Sequence, residues 1–397
     1  MNHTQSLPEP SADALQHSQK LMARICEEIN EHTNKNTETN DSGAISFRRY
    51  MEMALYEPAL GYYVAGSHKI GEQGDFITAP EISPLFSYCI AQQCAEVLKQ
   101  TQGDILELGA GSGVMASDIL LALEQQNSLP KFYYILDLSP DLKQRQKETL
   151  ISKVPHLLDR VVWISKLPEN FIGIIIGNEV LDAMPVDVFT QQNDTIFEHY
   201  VIWEDGKLRE QLRPANEVLS KQVLALNIPH EATPYTSELN PNLEAWFNTL
   251  ANCMKKGVIL LADYGYSQKE YYLAERNKGT LICHYQHLVN EAPLLYSGLQ
   301  DITANVDFTA VAESADKAGF KVSGFTSQAT FLTNAGLEAF FMQALDNKPD
   351  DQYKLAQQVR TLSLPSEMGE RFKFIALNKS YDEGLQGFLN MDQRHRL

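Results

Sequence analysis

Short apolar runs and amphipathic stretches take turns along the middle of the chain. DILELG, FYYILDLS, VVWIS and IGIIIGN read as strands, and GVILLADYG repeats the pattern at 257–265. FYYIL and IGIII are apolar continuously instead of alternately, which marks parallel strands covered on both faces. Between the runs lie helical stretches, GVMASDILLALEQQ and PDLKQRQKETLISKV, the second with Pro140 near its first turn. After residue 300 come a helix, FTAVAESADKAGF, and two strands, KVSGFTSQ and FKFIALNKS. Strands that alternate with helices predict an α/β fold with a doubly wound, mostly parallel sheet.

The flanks read differently. Residues 1–18 are polar and expected to fray, whereas 19–31 carry helical apolar spacing at Leu21, Met22, Ile25 and Ile29. HTNKNTETNDSG at 32–43 is a polar linker. Ser46 then caps a helix with Phe47, Tyr50, Met51, Ala54 and Leu55 on one face. Residues 191–244 interrupt the strand–helix alternation. There QQNDTIFEHYVIWEDGKLREQL predicts a hairpin turning at Asp205-Gly206, an inserted substrate or partner module. The tail from Tyr381 is polar.

Composition narrows the function classes. The 397 residues suffice for two or three domains, or for one large domain with insertions, and 44% are hydrophobic. No stretch approaches the ~20 apolar residues of a membrane span. The N-terminal segment has no basic n-region, no apolar h-region and no arginine before Arg24, so neither a secretory signal nor a mitochondrial transit peptide is expected. Five cysteines without a CxxC pair suit buried thiols in a reducing cytoplasm. The formal charge of −18 disfavours a nucleic-acid partner. An acidic cleft attracts a cationic ligand or a basic protein instead. A homodimer is left open.

The loop DILELGAGSG places Gly109, Ala110, Gly111 and Gly113 between a strand and a helix, where backbone N–H groups can approach a ligand. A dinucleotide fingerprint wants GxGxxG, and this chain has Val114 where the third glycine would stand. Glu107, two residues before the loop, would repel a pyrophosphate but suits a ligand carrying an amino group and a sulfonium. Asp137 ends the next strand, where an acidic side chain takes ribose hydroxyls. Together these residues fit S-adenosyl-L-methionine better than NAD.

The pattern resembles class I S-adenosylmethionine-dependent methyltransferases. Six further motifs occur in order: YMEMALYEPALGYYVAG, KIGEQGDFITAPEISPLF, GNEVLDAMPVDVF, LLADYGY, GLQDITANVDFTA and PSEMGERFKFIAL. They resemble the MidA family of methyltransferases over roughly residues 45–378. The resemblance implies a Rossmann-like, seven-stranded sheet with additional helices. It also implies a protein-arginine methyltransferase, since the family's mitochondrial members have that activity and serve respiratory complex I assembly. On this reading 1–43 is a flexible segment with one helix, and 44–102 a helical region with an active-site loop. The cofactor-binding core is 103–190, the inserted module 191–244, the rest of the core 245–380, and the tail 381–397. Two other readings stay open: methylation of a small molecule, and a non-catalytic assembly protein that keeps the fold.

Candidate acceptor chemistry clusters at strand ends. Asn178, Glu179 and Asp182 follow the strand IGIIIGN, with Pro185 limiting the turn behind them. On a helical turn the three-residue spacing puts both carboxylates on one face, able to grip a guanidinium bidentately. Helix-start acids that bind nothing are the alternative. Asp263 and Tyr264 end another strand and are expected to line the acceptor site. KIGEQGDFITAPEISPLF resembles the family's loop over the cofactor. Gly74, Thr78 and Pro80 are expected at the cofactor and Glu81 at the substrate, with Asp75 also in that loop. Trp163 is a candidate for stacking on adenine, with core packing as the equal alternative. His284 and His287 lack a third partner of metal-ligand spacing, and no metal is expected.

Overall fold

The computed structural model describes residues 7–35, 43–65, 78–228 and 234–397. The chain divides into two compact units. The first takes Met1–Phe76, Ala183–Asn242 and Gln268–Asn305; the second takes Ile77–Asp182, Leu243–Ser267 and Val306–Leu397.

The second unit is the α/β fold. Its strands are β1 (Asp104–Leu108), β2 (Tyr133–Leu136), β3 (Val161–Ile164), β4 (Phe171–Asn178), β5 (Met254–Tyr266), β6 (Lys321–Ser327) and β7 (Phe372–Lys379). Across the sheet they run β6-β7-β5-β4-β1-β2-β3. The pairs from β5 to β3 are parallel, and β7 is antiparallel to both its neighbours. The short strand Val306–Asp307 pairs with the end of β5. This is the mixed, mostly parallel seven-stranded sheet that the sequence resemblance implies. Chain order reverses between β1 and β4, and ligands of open α/β sheets bind at the carboxyl ends of strands beside such a point.

The apolar patterning explains the layers. Ile174, Ile175 and Ile176 in β4 and Val258 to Ala262 in β5 are all buried, because both faces of these central strands are covered. On one face they pack with helices α1 (Pro84–Thr101) and α2 (Val114–Gln125) through Phe86, Ile90, Ile119 and Leu120. Helix α3 (Pro140–Lys153) follows β2, capped by Ser139, whose side chain accepts from Leu142 N.

The polar tail from Tyr381 is docked on the second unit's own elements. Tyr381, Leu385 and Phe388 are buried, and the ring of Phe388 lies over Gly324 of β6, leaving no room for a Cβ there. The backbone N–H groups of Gln386 and Gly387 donate to Glu96 and Gln93 of α1. Three apolar residues spaced through a polar segment suffice to dock it, a signal too sparse for a periodicity argument.

The first unit holds helices Ala12–Lys35 and Phe47–Tyr56. Its five-stranded antiparallel sheet is built on Thr195–Glu204, which pairs with Asp187–Gln192, Ile45–Ser46 and Lys207–Pro214, and Tyr235–Leu239 pairs with Asp187–Gln192. A three-stranded sheet of Ile282–Tyr285, Leu288–Asn290 and Asp301–Thr303 completes it. The Thr195–Glu204 and Lys207–Pro214 hairpin turns at Asp205-Gly206, both with positive φ, as the sequence predicts. The first helix starts at Ala12, inside the segment expected to fray. Tertiary contacts anchor that turn: Ser18 Oγ donates to Ser297 O at 2.9 Å, and His17 Nε2 lies 2.8 Å from Leu60 O.

Candidate active site

The glycine loop sits between β1 and α2. Gly109, Gly111 and Gly113 all have positive φ, and Gly113 is the N-cap of α2. Gly113 is also pressed against α3, since a Cβ there would come within 2.9 Å of Gln146 Cα. Position 113 therefore demands glycine both for φ and for space, and Gly109 and Gly111 favour it for φ. Ala110 is buried beneath it.

Glu107 is fully buried in β1. Tyr133 Oη donates to its Oε2 at 2.8 Å, while Oε1 is buried without a partner. Burial pushes its carboxyl up to about 8, with Tyr133 opposing and Asp137 adding to the rise. Asp137 is buried at the end of β2. Its Oδ1 accepts from Ser139 N at 2.9 Å and its Oδ2 from Gln146 Nε2 at 2.7 Å. Burial raises Asp137, against the opposing Ser139 N–H, Gln146 amide and Lys143 charge. An orphaned acceptor at Glu107 and a carboxylate poised at the next strand end fit an S-adenosylmethionine with its ammonium and ribose hydroxyls.

Asn178, Glu179 and Asp182 leave the sheet at the end of β4. No helix forms there; the segment is a bend and turn, and Glu179 has φ +53°, unusual for a residue with a Cβ. Its N–H still donates to Ala262 O at 2.9 Å, so ladder pairing with β5 holds up to the bend. The turn is then gathered by Asp263, whose side chain is buried. Asp263 Oδ2 accepts from the N–H groups of Val180, Leu181 and Asp182 at 3.1, 2.9 and 3.3 Å, and Oδ1 from Tyr264 N at 2.9 Å. Asp263 thus gathers three amides from outside the segment, and the turn is not continued into a helix. Asn178 Nδ2 donates to Glu179 Oε1 at 3.0 Å, while Asn178 Oδ1 is buried without a partner. Burial and the charges of Asp182 and Glu179 push Asp263 well above the usual carboxylate range. Three carboxyl groups therefore crowd one strand end, where each additional charge is costly.

The remaining candidates are placed as follows. Asp263 supports the turn through Oδ2, while its Oδ1 takes the N–H of its neighbour Tyr264. Tyr264 packs edge-on against Phe372, with ring centroids 5.4 Å apart. Thr78 is the N-cap of the single turn Ala79–Ile82, in which Pro80 is buried. Glu81 accepts a short hydrogen bond from Ser112, tying that turn to the glycine loop. Gly74 and Asp75 lie outside the described residues. Trp163 donates through Nε1 to Gln146 Oε1 at 3.0 Å, and Lys147 Nζ lies over its ring. Among the described residues no group of three or more His, Cys, Asp or Glu could hold a metal ion.

Sequence reasoning passed over Gln146, Tyr133 and Ser112. Gln146 carries a signal in retrospect, because it sits between Leu142 and Leu150 at four-residue spacing on the buried stripe of α3. Tyr133 and Ser112 carry none, since their partners come from other elements.

The family described as "Putative S-adenosyl-L-methionine-dependent methyltransferase" matches residues 89–326. A crystal structure of a Burkholderia thailandensis protein bound to S-adenosyl-homocysteine superposes with a TM-score of 0.92. The two are 38% identical, over 99% of this chain and 100% of that one. A native structure from the same organism gives 0.89 at the same identity and coverage. The human mitochondrial protein arginine methyltransferase NDUFAF7 is 30% identical over 370 residues, covering 85% of this chain and 80% of that protein. The zebrafish protein of the same name is 28% identical over 368 residues, covering 85% of this chain and 84% of that protein. Those relatives are named as mitochondrial and so lend the cytoplasmic expectation no support. No helix among the described residues is long and apolar enough to cross a membrane. With the matched family spanning the glycine loop, the Asn178–Asp182 turn and Asp263, the chain belongs to the MidA family of S-adenosyl-L-methionine-dependent methyltransferases.

Proposed function

We propose that the enzyme methylates a guanidinium nitrogen of arginine in a protein substrate. The observation that carries this reading is the crowding of Glu179, Asp182 and Asp263 at the ends of β4 and β5, which a cationic acceptor relieves. The names of the curated relatives, protein arginine methyltransferases, support it.

Glu107, the loop Gly109–Gly113 and Asp137 would hold the cofactor. When bound, S-adenosylmethionine supplies an electrophilic methyl group on a sulfonium. The chain's own task is to bring a nucleophile in line with it. An arginine side chain stays protonated at neutral pH, with a pKa above about 12, so no side chain of ordinary basicity prepares it in advance. Glu179 and Asp182 would grip the guanidinium and aim one nitrogen, and Asn178 Oδ1 is an acceptor ready for a further N–H. As the nitrogen gains its methyl group, the surplus proton passes to one of these carboxylates. Asp263 keeps both in place through the backbone.

The test uses radiolabelled S-adenosylmethionine with a lysate, followed by acid hydrolysis of the labelled protein. Methylarginine is the expected product, lost in Glu179→Gln and Asp182→Asn while both variants still bind S-adenosyl-homocysteine. Label found only in small molecules, or on another amino acid, rejects the reading.

A further inference from the structure

One polar residue occupies the buried stripe of α3. Leu142, Gln146 and Leu150 are all buried at four-residue spacing. The amide of Gln146 has its orientation fixed from outside. An indole N–H only donates, so Trp163 Nε1, 3.0 Å from Oε1, determines which end of the amide is oxygen. The other end, Nε2, then faces two acceptors: Asp137 Oδ2 at 2.7 Å and the Gly111 carbonyl at 3.1 Å. The close packing of Gly113 on Gln146 Cα brings the loop to the same residue. One side chain thus ties together β3, the end of β2 and the glycine loop.

We propose that Gln146, oriented by Trp163, is a positioning residue that fixes Asp137 and Gly111 for recognition of the cofactor's ribose. The inference rests on reading Asp137 as the ribose-binding carboxylate. Ser139 N donates to Asp137 Oδ1, the Gln146 amide donates to Oδ2, and the Leu138 N–H also bears on the carboxylate. The two oxygens together accept about four hydrogen bonds, so the carboxylate keeps acceptor capacity for a ribose hydroxyl. Without Gln146, Oδ2 loses its side-chain donor, and the carboxylate is freer to turn about its χ2. The charge balance changes as well. The groups bearing on Asp137 are the Glu107 carboxyl from β1, the Lys143 ammonium from α3, the Ser139 and Leu138 N–H groups and Gln146 itself. Removing Gln146 leaves burial less opposed, so Asp137 takes up its proton at a higher pH.

The experiment is calorimetric titration of S-adenosyl-homocysteine, from about pH 5 to about pH 9, into wild type, Gln146→Met, Gln146→Glu and Trp163→Phe. A thermal unfolding scan accompanies each. Gln146→Met should bind about tenfold or more weakly at neutral pH, the loss expected for a hydrogen bond to a charged group. The acid-side fall in its affinity should move to higher pH. Gln146→Glu should bind poorly at neutral pH, where two carboxylates face each other, and recover as the pair takes up one proton. Trp163→Phe lets the amide flip and should bind with intermediate affinity. Wild-type affinity and an unshifted pH profile in folded Gln146→Met overturn the inference. If that variant does not fold, wild-type affinity in Trp163→Phe with a pH-independent Gln146→Glu overturns it equally. Failure of the wild type to bind S-adenosyl-homocysteine removes the ribose reading of Asp137 and this inference together, whereas binding by wild type and unaffected variants removes this inference alone.

Discussion

Replacing Glu107 with glutamine should make the free enzyme more stable at alkaline pH while disabling cofactor binding. Glu107 is fully buried, its Oε2 takes the Tyr133 hydroxyl, and its Oε1 has no partner. Burial lifts its carboxyl from 4.5 to about 8. At about 1.36 kcal/mol per unit, ionising it in the folded state costs on the order of 5 kcal/mol. The sign follows from proton binding. Between about pH 4.5 and about pH 8 the folded protein holds a proton at Glu107 that the unfolded chain has released. Stability from this group is therefore complete below about pH 4.5 and is lost as pH rises through about 8. The amide of Glu107→Gln would keep the bond to Tyr133 and leave a neutral, partnerless end, much as the protonated acid does. Denaturant unfolding of both proteins without cofactor should show nearly equal stability near about pH 4.5. Between about pH 5 and about pH 7.5 the variant's lead should grow by about 3 kcal/mol. Calorimetry with S-adenosyl-homocysteine should give the opposite ranking, with wild-type affinity rising toward about pH 8 as the carboxylate forms and the variant binding weakly throughout. A stability difference that does not change with pH would refute the burial argument. Wild-type affinity in the variant would refute the assignment of Oε1 to the cofactor's ammonium.

Three other perturbations probe separate parts of the second unit. Asp263→Asn keeps the volume but replaces one acceptor oxygen with an N–H₂ that faces backbone donors. Methyl transfer should fall at least about tenfold, S-adenosyl-homocysteine binding should persist, and the amides of residues 180–182 should exchange faster with deuterium. Gly113→Ala places a Cβ 2.9 Å from Gln146 Cα at φ +83°. It should cost about 1–3 kcal/mol in denaturant unfolding and weaken S-adenosyl-homocysteine binding; a neutral effect on both would mean the loop and α3 part easily. Phe388→Ala removes a buried ring packed on Phe331 and Gly324. A loss of about 3–5 kcal/mol in unfolding free energy is expected, and a loss below about 1 kcal/mol would show that the tail is not docked.

Much of the second unit was legible because its signals are local. The apolar runs at 133–136, 171–178 and 257–262 are all strands of the sheet, and the central two are covered on both faces, whereas Tyr134 and Leu136 of the first are only half-buried. The glycines at 109, 111 and 113 were legible for the same reason, since positive φ favours glycine wherever the loop is placed. Glu107 and Asp137 could be read from their positions at consecutive strand ends. Position alone, however, did not say that Glu107 is sealed from water with one oxygen orphaned.

Other features depended on partners remote in sequence. In place of the expected helical turn after Asn178 stands a turn gathered by Asp263, some eighty residues further along the chain, which accepts from the N–H groups of Val180, Leu181 and Asp182. The same contact makes Asp263 a support for the turn, a role that its position in the sequence did not announce. Residues 12–18 and the tail from Tyr381 have too few apolar positions to announce an element, and they are ordered by single contacts at Ser18, Tyr381 and Phe388. By itself, the sequence determined the strand–helix order, the conformational demand of the glycine loop and the acidic character of both strand ends, because backbone sterics and periodicity act within a few residues. Tertiary structure alone decided which oxygens are taken by backbone N–H groups and which are left open, because a hydrogen-bond partner is chosen by proximity in space.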